Sequence, residues 1–398
     1  MNLLALAERW GEALTSKPFG FAAERCLHSA DKFSGCTACF DVCPVDAIQP
    51  GEPPVFDGER CQACRACLPV CPTGAFAAAE DEVQALLNCA ERISPKPCEV
   101  VCGLNPFVEV GVVGATAVRV RGCLAGLGVA AYLGLVSHGI EKIIVRLDAC
   151  ADCPWSQLRT QVEAQIQQAQ SLLAMWGKAE SVIYVAQTAG DFGKRPFWNA
   201  ASPPVSRREL FRSRADEKKP EADASTEPNQ FHERVHFLRA VKRLPAPAEN
   251  AATTSLAGLN FALLTVNDTC TACGVCARAC PTGALQMETA ASSFQLTFSP
   301  QICIGCDICQ HVCAPDAITL SHDPAFDQVF AGQVDQIVQQ GSLSACSKCR
   351  APFASRAGAD LCPVCEFRRQ NPFGSMMPPG MAANQKQQNL AGARRIKL

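Results

Sequence analysis

Cys270-Thr-Ala-Cys273-Gly-Val-Cys276-Ala-Arg-Ala-Cys280-Pro281 sets three cysteines two residues apart and a fourth after a three-residue gap, closed by proline. Gaps this short wrap one loop round three corners of a metal core, and the fourth cysteine lies too far along to close the same corner. That is the ligand pattern of an iron–sulfur cubane. The phrase recurs as Cys61-x2-Cys64-x2-Cys67-x3-Cys71-Pro and as Cys303-x2-Cys306-x2-Cys309-x3-Cys313-Ala-Pro. A fourth copy, Cys26-x9-Cys36-x2-Cys39-x3-Cys43-Pro, carries an inserted loop from Leu27 to Gly35, and after Cys313 the proline is displaced by one residue. Sixteen of the chain's 26 cysteines are used this way. Disulfide frameworks belong to small secreted chains, and zinc sites rarely repeat with a three-residue final gap.

Each run is followed by a similar phrase: Pro-Val-Asp-Ala-Ile at 44–48, Pro-Thr-Gly-Ala-Phe at 72–76, Pro-Thr-Gly-Ala-Leu at 281–285 and Pro-Asp-Ala-Ile at 315–318. With these residues the chain resembles bacterial-type ferredoxins carrying two four-iron clusters, over residues 22–80 and again over 262–322. The resemblance implies interlocked ligand sets. Cys26, Cys36, Cys39 and Cys71 would hold one cluster, and Cys61, Cys64, Cys67 and Cys43 a second. Cys270, Cys273, Cys276 and Cys313 would hold a third, and Cys303, Cys306, Cys309 and Cys280 a fourth.

At 398 residues and 48% hydrophobic content the chain has material for two or three packed domains, and its formal charge of -2 favours no nucleic-acid partner. Met1–Leu14 reads as a short amphipathic helix without the apolar core of a signal peptide. The most apolar stretch, Leu124–Val136, is too short to cross a bilayer. Ser206-Arg207-Arg208-Glu209-Leu210-Phe211 imitates a twin-arginine signal, but it lies mid-chain with no apolar run behind it. Reduced, metal-holding cysteines suit the cytoplasm.

The expected organisation is α+β and multidomain: a dicluster module at 1–80, an α/β domain at 81–188, a linker at 189–258, a second dicluster module at 259–325, a zinc-ribbon-like segment at 340–370 and a disordered tail at 371–398. In the α/β domain, strands are expected at Val83–Leu87, Val118–Val120, Lys142–Leu147 and Ser181–Val185, and helices at Leu124–Ser137 and Ser156–Trp176. That alternation implies a parallel sheet. Ala215–Gln230, nearly devoid of apolar side chains, reads as flexible.

Six cysteines fall in the α/β domain. Cys89, Cys123 and Cys150 each follow a predicted strand, with Cys153 two residues beyond Cys150, and ligands of open parallel sheets gather at the carboxyl edge. Cys89, Cys123, Cys150 and Cys153 are therefore candidate ligands of a fifth metal or iron–sulfur centre, with Cys98 and Cys102 as substitutes. Arg121-Gly122-Cys123 and Asp148-Ala149-Cys150-Ala151-Asp152-Cys153 resemble the small iron–sulfur subunit of viologen-reducing hydrogenase complexes that feed heterodisulfide reductase. The resemblance implies strand-end cysteines on a cluster. Gly126-Leu127-Gly128-Val129-Ala130-Ala131 also satisfies a relaxed dinucleotide fingerprint, with Asp148 about twenty residues on.

Cys346-x2-Cys349-x12-Cys362-x2-Cys365 pairs two knuckles round one ion, zinc or a single iron, which would stabilise a segment too short for its own core. No serine-centred elbow, phosphate-binding loop or haem-attachment pair appears. The expectation is a polyferredoxin-type electron-transfer protein, the relay subunit of an oxidoreductase complex, carrying four [4Fe-4S] clusters and docking a redox donor and acceptor. The alternative is an oxidoreductase with its own substrate, flavin or nucleotide site in the α/β domain.

Overall fold

The computed structural model describes residues 19–31, 34–78, 80–187, 192–204, 232–247, 253–332, 334–355 and 359–371. The expectations for Met1–Leu14, the twin-arginine stretch, Ala215–Gln230 and the tail beyond 371 lie outside them. The chain divides into two compact units, Met1–Ser29 with Cys36–Ala251 and Ala30–Gly35 with Ala252–Leu398.

In the first unit, strand β1 (Phe19–Phe21) pairs antiparallel with β4 (Phe76–Ala78), and β2 (Ile48–Gln49) with β3 (Val55–Phe56). Two single-turn helices, α1 (Ala38–Asp41) and α2 (Cys67–Val70), carry cysteines between the strands. So small a module buries little carbon. Its apolar centre is a trio of rings, Phe21 stacked on Phe76 at 4.8 Å and Phe56 edge-on to Phe76 at 5.7 Å, packed directly against the cysteines.

Next come α3 (Glu82–Ile93), β5 (Cys98–Val101), β6 (Gly111–Val112), β7 (Thr116–Arg119), α4 (Gly128–Ser137), β8 (Ile143–Arg146), α5 (Leu158–Leu173), β9 (Val182–Val185), β10 (Phe192–Gly193) and β11 (Phe197–Asn199). Strands β6 and β10 form a small antiparallel pair. The other five form one parallel sheet in the order β11-β7-β5-β8-β9. Strands β5 and β8 are buried at every position, as strands covered on both faces must be. Residues Gly128 to Val136 of α4 are likewise all buried, which explains the apolarity of that stretch: it is a core helix. No helix among the described residues is long and apolar enough to cross a membrane.

The sheet departs from the sequence reading in two places. Val83–Leu87 is not a strand but the first half of α3, because Val83, Leu86, Leu87, Ala90 and Ile93 recur at helical spacing and Asp81 caps the helix by accepting the Gln84 N–H at 2.9 Å. The strand that actually starts the sheet, β5, hides its pattern behind Glu99, a buried carboxylate held by Arg146 and Arg195. Residues 189–258, read as linker, supply β11 to the sheet edge and a helix, α6 (His232–Arg243), packed on α4.

The second unit repeats the module plan. Strand β12 (Ala262–Val266) pairs with β15 (Ile318–His322), and β13 (Leu285–Thr289) with β14 (Ser293–Phe298), around α7 (Val275–Ala279) and α8 (Ile308–His311). After α9 (Phe326–Phe330), β16 (Gln336–Ser342) adds a third strand beside β14. The chain ends in β17 (Ser344–Ala345), β18 (Pro352–Phe353) and α10 (Pro363–Gln370), a hairpin and helix around four cysteines.

Candidate metal centres

Three of the four cysteine runs share one backbone solution. In Cys61–Cys67, Cys270–Cys276 and Cys303–Cys309, the residues flanking the middle cysteine are left-handed: Ala63 and Arg65 (φ 56° and 71°), Ala272 and Gly274 (57° and 68°), Gly305 and Asp307 (59° and 61°). Reversing the hand on both sides of the middle cysteine curls the loop tightly, at a cost of about 1–2 kcal/mol per non-glycine residue. The fourth cysteines share a turn as well. Three residues beyond Cys43, Cys71, Cys280 and Cys313 stand Asp46, Gly74, Gly283 and Asp316, all left-handed. An alanine follows each, and the N–H groups of Ala47, Ala75 and Ala317 donate to the sulfurs of Cys43, Cys71 and Cys313 at 3.3, 3.3 and 3.2 Å. The proline displaced after Cys313 therefore leaves the turn intact. In the first run, His28 Nε2 donates to the Cys36 carbonyl at 2.8 Å.

Fourth cysteines cross over between runs. Burial first, then the thiolates of Cys71, Cys36 and Cys26, push Cys39 up to about 12. Cys64 rises to about 11 through burial and the charges of Cys43 and Cys61. Cys26, Cys36, Cys39 and Cys71 thus bear on one another, and Cys43 bears on Cys61 and Cys64. The second unit repeats the exchange: burial and the charges of Cys273, Cys270 and Cys313 raise Cys276 to about 11, while burial and the charges of Cys303 and Cys280 raise Cys306 to about 12. The two sets of each module are neighbours, since Cys67 also feels Cys71 and Cys39, and Cys309 feels Cys276. A cavity lined by Cys270, Cys273, Cys276 and Cys313 opens in the second module.

At the carboxyl edge of the parallel sheet the loops after β5, β7 and β8 carry Cys102, Cys123, and Cys150 with Cys153. Gly103 N donates to Gly122 O at 3.0 Å, and Asn105 Nδ2 to Asp148 Oδ1 at 3.3 Å, so the three loops are tied together. Burial raises Cys102 to about 12, aided by the charges of Cys150 and Cys153, and Cys123 is raised by burial, Cys102, Cys64 and Cys150. Cys89 does not join them. It lies on the buried face of α3, and its thiolate bears on Cys98. The cysteine that follows the sheet's first strand, β5, is Cys102, one of the two substitutes named above, and not Cys89.

This edge is welded to the first module. Cys123 N donates to Cys64 O at 3.3 Å, Trp155 Nε1 to Gln62 Oε1 at 2.7 Å, and Gln157 Nε2 to Pro44 O at 3.2 Å. Arg65, inside the Cys64–Cys67 gap, forms a buried ion pair with Glu82, whose other oxygen accepts the Arg121 N–H. Three loops at this edge thus carry four cysteines, a donor type suited to a metal or iron–sulfur centre.

The dinucleotide fingerprint meets a different occupant. Glu233 of α6 lies part-buried at the N-terminus of α4, where it accepts the Ala130 N–H at 2.8 Å, and a side-chain carbon on Gly128 (φ 68°) would collide with its carboxylate. That is where a nucleotide's phosphates would have to lie. No sequence pattern pointed to Glu233, which is 103 residues from the N–H that donates to it.

At the chain's end the sulfurs of Cys346, Cys349, Cys362 and Cys365 all lie within 4.8 Å of one another. The backbone N–H groups of Cys349 and Cys362 hold Cys346 down at about 6, and Cys362 N lies 3.3 Å from its sulfur.

Two segments, residues 32–75 and 269–317, match the 4Fe-4S dicluster domain family. The matches take in fifteen of the sixteen run cysteines, all but Cys26. No curated protein sequence matches the chain.

Proposed function

We propose that the chain, an iron–sulfur protein with two dicluster domains, is an electron relay: four [4Fe-4S] clusters on the four sets above, a fifth centre on Cys102, Cys123, Cys150 and Cys153, and a zinc-ribbon-like end on Cys346, Cys349, Cys362 and Cys365. One observation carries the reading. The loop of the Cys43/Cys61/Cys64/Cys67 set is hydrogen-bonded backbone to backbone to the loop bearing Cys123, so electrons entering the first module have a short path to the sheet edge. The clusters supply the one-electron chemistry. The residues hold and tune them, through Ala47, Ala75 and Ala317 N–H groups on sulfur and through burial that excludes water. Donor and acceptor are redox proteins, and the occupied anion site at α4 favours the relay over a nucleotide-binding enzyme.

Anaerobic purification followed by reductive titration under EPR tests this. About sixteen irons from the two modules, additional metal lost in Cys123→Ser, and several one-electron signals that couple as reduction proceeds are expected. Iron that does not reduce, or a chromophore released on denaturation with substrate turnover by the chain alone, would overturn the relay.

A further inference from the structure

The ladder between β5 and β8 ends at Val100 and Val145, short of both cysteine loops that follow these strands. A side chain joins the loops past that point. Asn105 N donates to Cys102 O at 3.2 Å, closing a turn that begins at the cysteine, and Cys150 N closes the matching turn on Leu147 O at 3.0 Å. Between the two turns, Asn105 Nδ2 donates to Asp148 Oδ1 at 3.3 Å. The Asn105 oxygen accepts the Phe107 N–H at 2.7 Å, which fixes the amide in this orientation.

Asp148 is gripped in turn by Arg146, Nε to Oδ1 at 2.8 Å and Nη2 to Oδ2 at 2.6 Å, the two-pronged geometry that holds a carboxylate in one pose. Arg146 Nη1 reaches Val110 O at 3.2 Å and Glu99, whose other oxygen takes Arg195. Asn105, Glu99 and Arg146 are all buried. Replacing a buried ion network by apolar side chains of similar volume is often neutral or stabilising, by about 1–4 kcal/mol. Stability alone therefore gives no account of this one. Its ends do: Asn105 stands three residues from Cys102, and Asp148 two from Cys150.

We infer that Asn105 is a positioning residue for the sheet-edge centre: by tying itself to the clamped Asp148 carboxylate it sets the separation of Cys102 from Cys150 and Cys153. The inference rests on the fifth-centre reading above. Asn105 is no ligand. It acts through the loops, and losing such an outer partner typically costs about 10–100-fold in metal affinity.

The test uses the full chain, purified anaerobically, with metal content, chelator competition and EPR on each variant. Asn105→Ala is expected to weaken metal binding at the fifth centre by about 10–100-fold, with the cluster signals of both modules unchanged. Asn105→Asp sets two carboxylates against each other and should weaken it at least as much. Adding Asp148→Asn to that variant restores donor and acceptor in reverse order with the network's charge unchanged, and should recover affinity and the fifth centre's EPR line shape; a packing role predicts no recovery. Unchanged affinity in Asn105→Ala overturns the inference, as does a double variant no better than Asn105→Asp alone. If Asn105→Ala does not fold, the comparison of Asn105→Asp with the double variant decides. Cys123→Ser separates the two levels: if it removes no metal and no EPR signal, the fifth centre itself is absent and this inference falls with it, whereas if it removes both and the Asn105 variants change nothing, the positioning role alone fails.

Discussion

Burial raises the Glu233 carboxyl from 4.5 to about 7 even though two backbone N–H groups at the start of α4, those of Ala130 and Val129, favour its ionised form. The groups around it are Tyr132 on α4 and Arg234 and His236 on its own helix, with His236 Nε2 2.7 Å from Asp81 Oδ2. Because its pKa is higher in the folded state, the fold holds a proton that the unfolded chain releases between about pH 4.5 and 7. Stability from this residue is thus full at low pH and falls as pH rises through 7. Glu233→Gln keeps an acceptor for Ala130 N–H and never ionises. Thermal unfolding should show it equal to the parent near pH 4 and more stable by up to about 3 kcal/mol at pH 8.5; a difference independent of pH would contradict the burial argument. Among the cysteines, Cys102→Ser should lower metal content, whereas Cys89→Ser should cost some packing stability with metal content unchanged. Metal analysis of the two variants side by side decides between them.

Elements carry the next level of argument. The left-handed flips at Ala63 and Arg65 give the Cys61–Cys67 loop its curl, and Arg65 then reaches Glu82 at the start of α3, so one residue both shapes a cluster loop and docks it on the sheet domain. Glu82→Gln leaves the buried guanidinium without its counter-charge. A loss of about 3–5 kcal/mol is expected, read by denaturant titration, with the first-module signals altered and the second module's unchanged. Helix α3 itself was legible in hindsight from Val83, Leu86, Leu87, Ala90 and Ile93, but a short apolar run fits strand and helix alike until its length and cap are weighed. Strand β5 was not legible, since Glu99 in its interior reads as polar until Arg146 and Arg195 neutralise it from residues 47 and 96 positions away.

At the scale of the molecule the duplication has diverged by what each copy leans on. The first module is fused to a five-stranded parallel sheet, and the second is extended by β16 and linked to the C-terminal knuckles, where Ala354 N donates to Thr271 O at 3.1 Å. The knuckle segment has only Phe353, Cys346, Cys362 and Cys365 as its buried core, so a bound metal would supply what carbon does not. A zinc chelator should release one ion, expose the amides of residues 344–365 to hydrogen exchange and leave cluster absorbance unaltered. Iron released with it, or protection retained without it, would remove the case for a separate structural ion.

The modules and the knuckles were determined by the sequence alone because each loop's ligands lie within a few residues of one another, where spacing and turn chemistry dictate geometry; even the crossed fourth cysteines follow from a repeat. Which cysteines gather at the sheet edge was decided only by the tertiary structure. They come from three loops spread over residues 102–153, and which cysteine reaches the edge depends on which segment becomes a strand and in what order the strands pair. The same holds for Glu233, whose meaning rests on a helix packed from a hundred residues away. Long-range register and burial, unlike ligand spacing, leave no local trace.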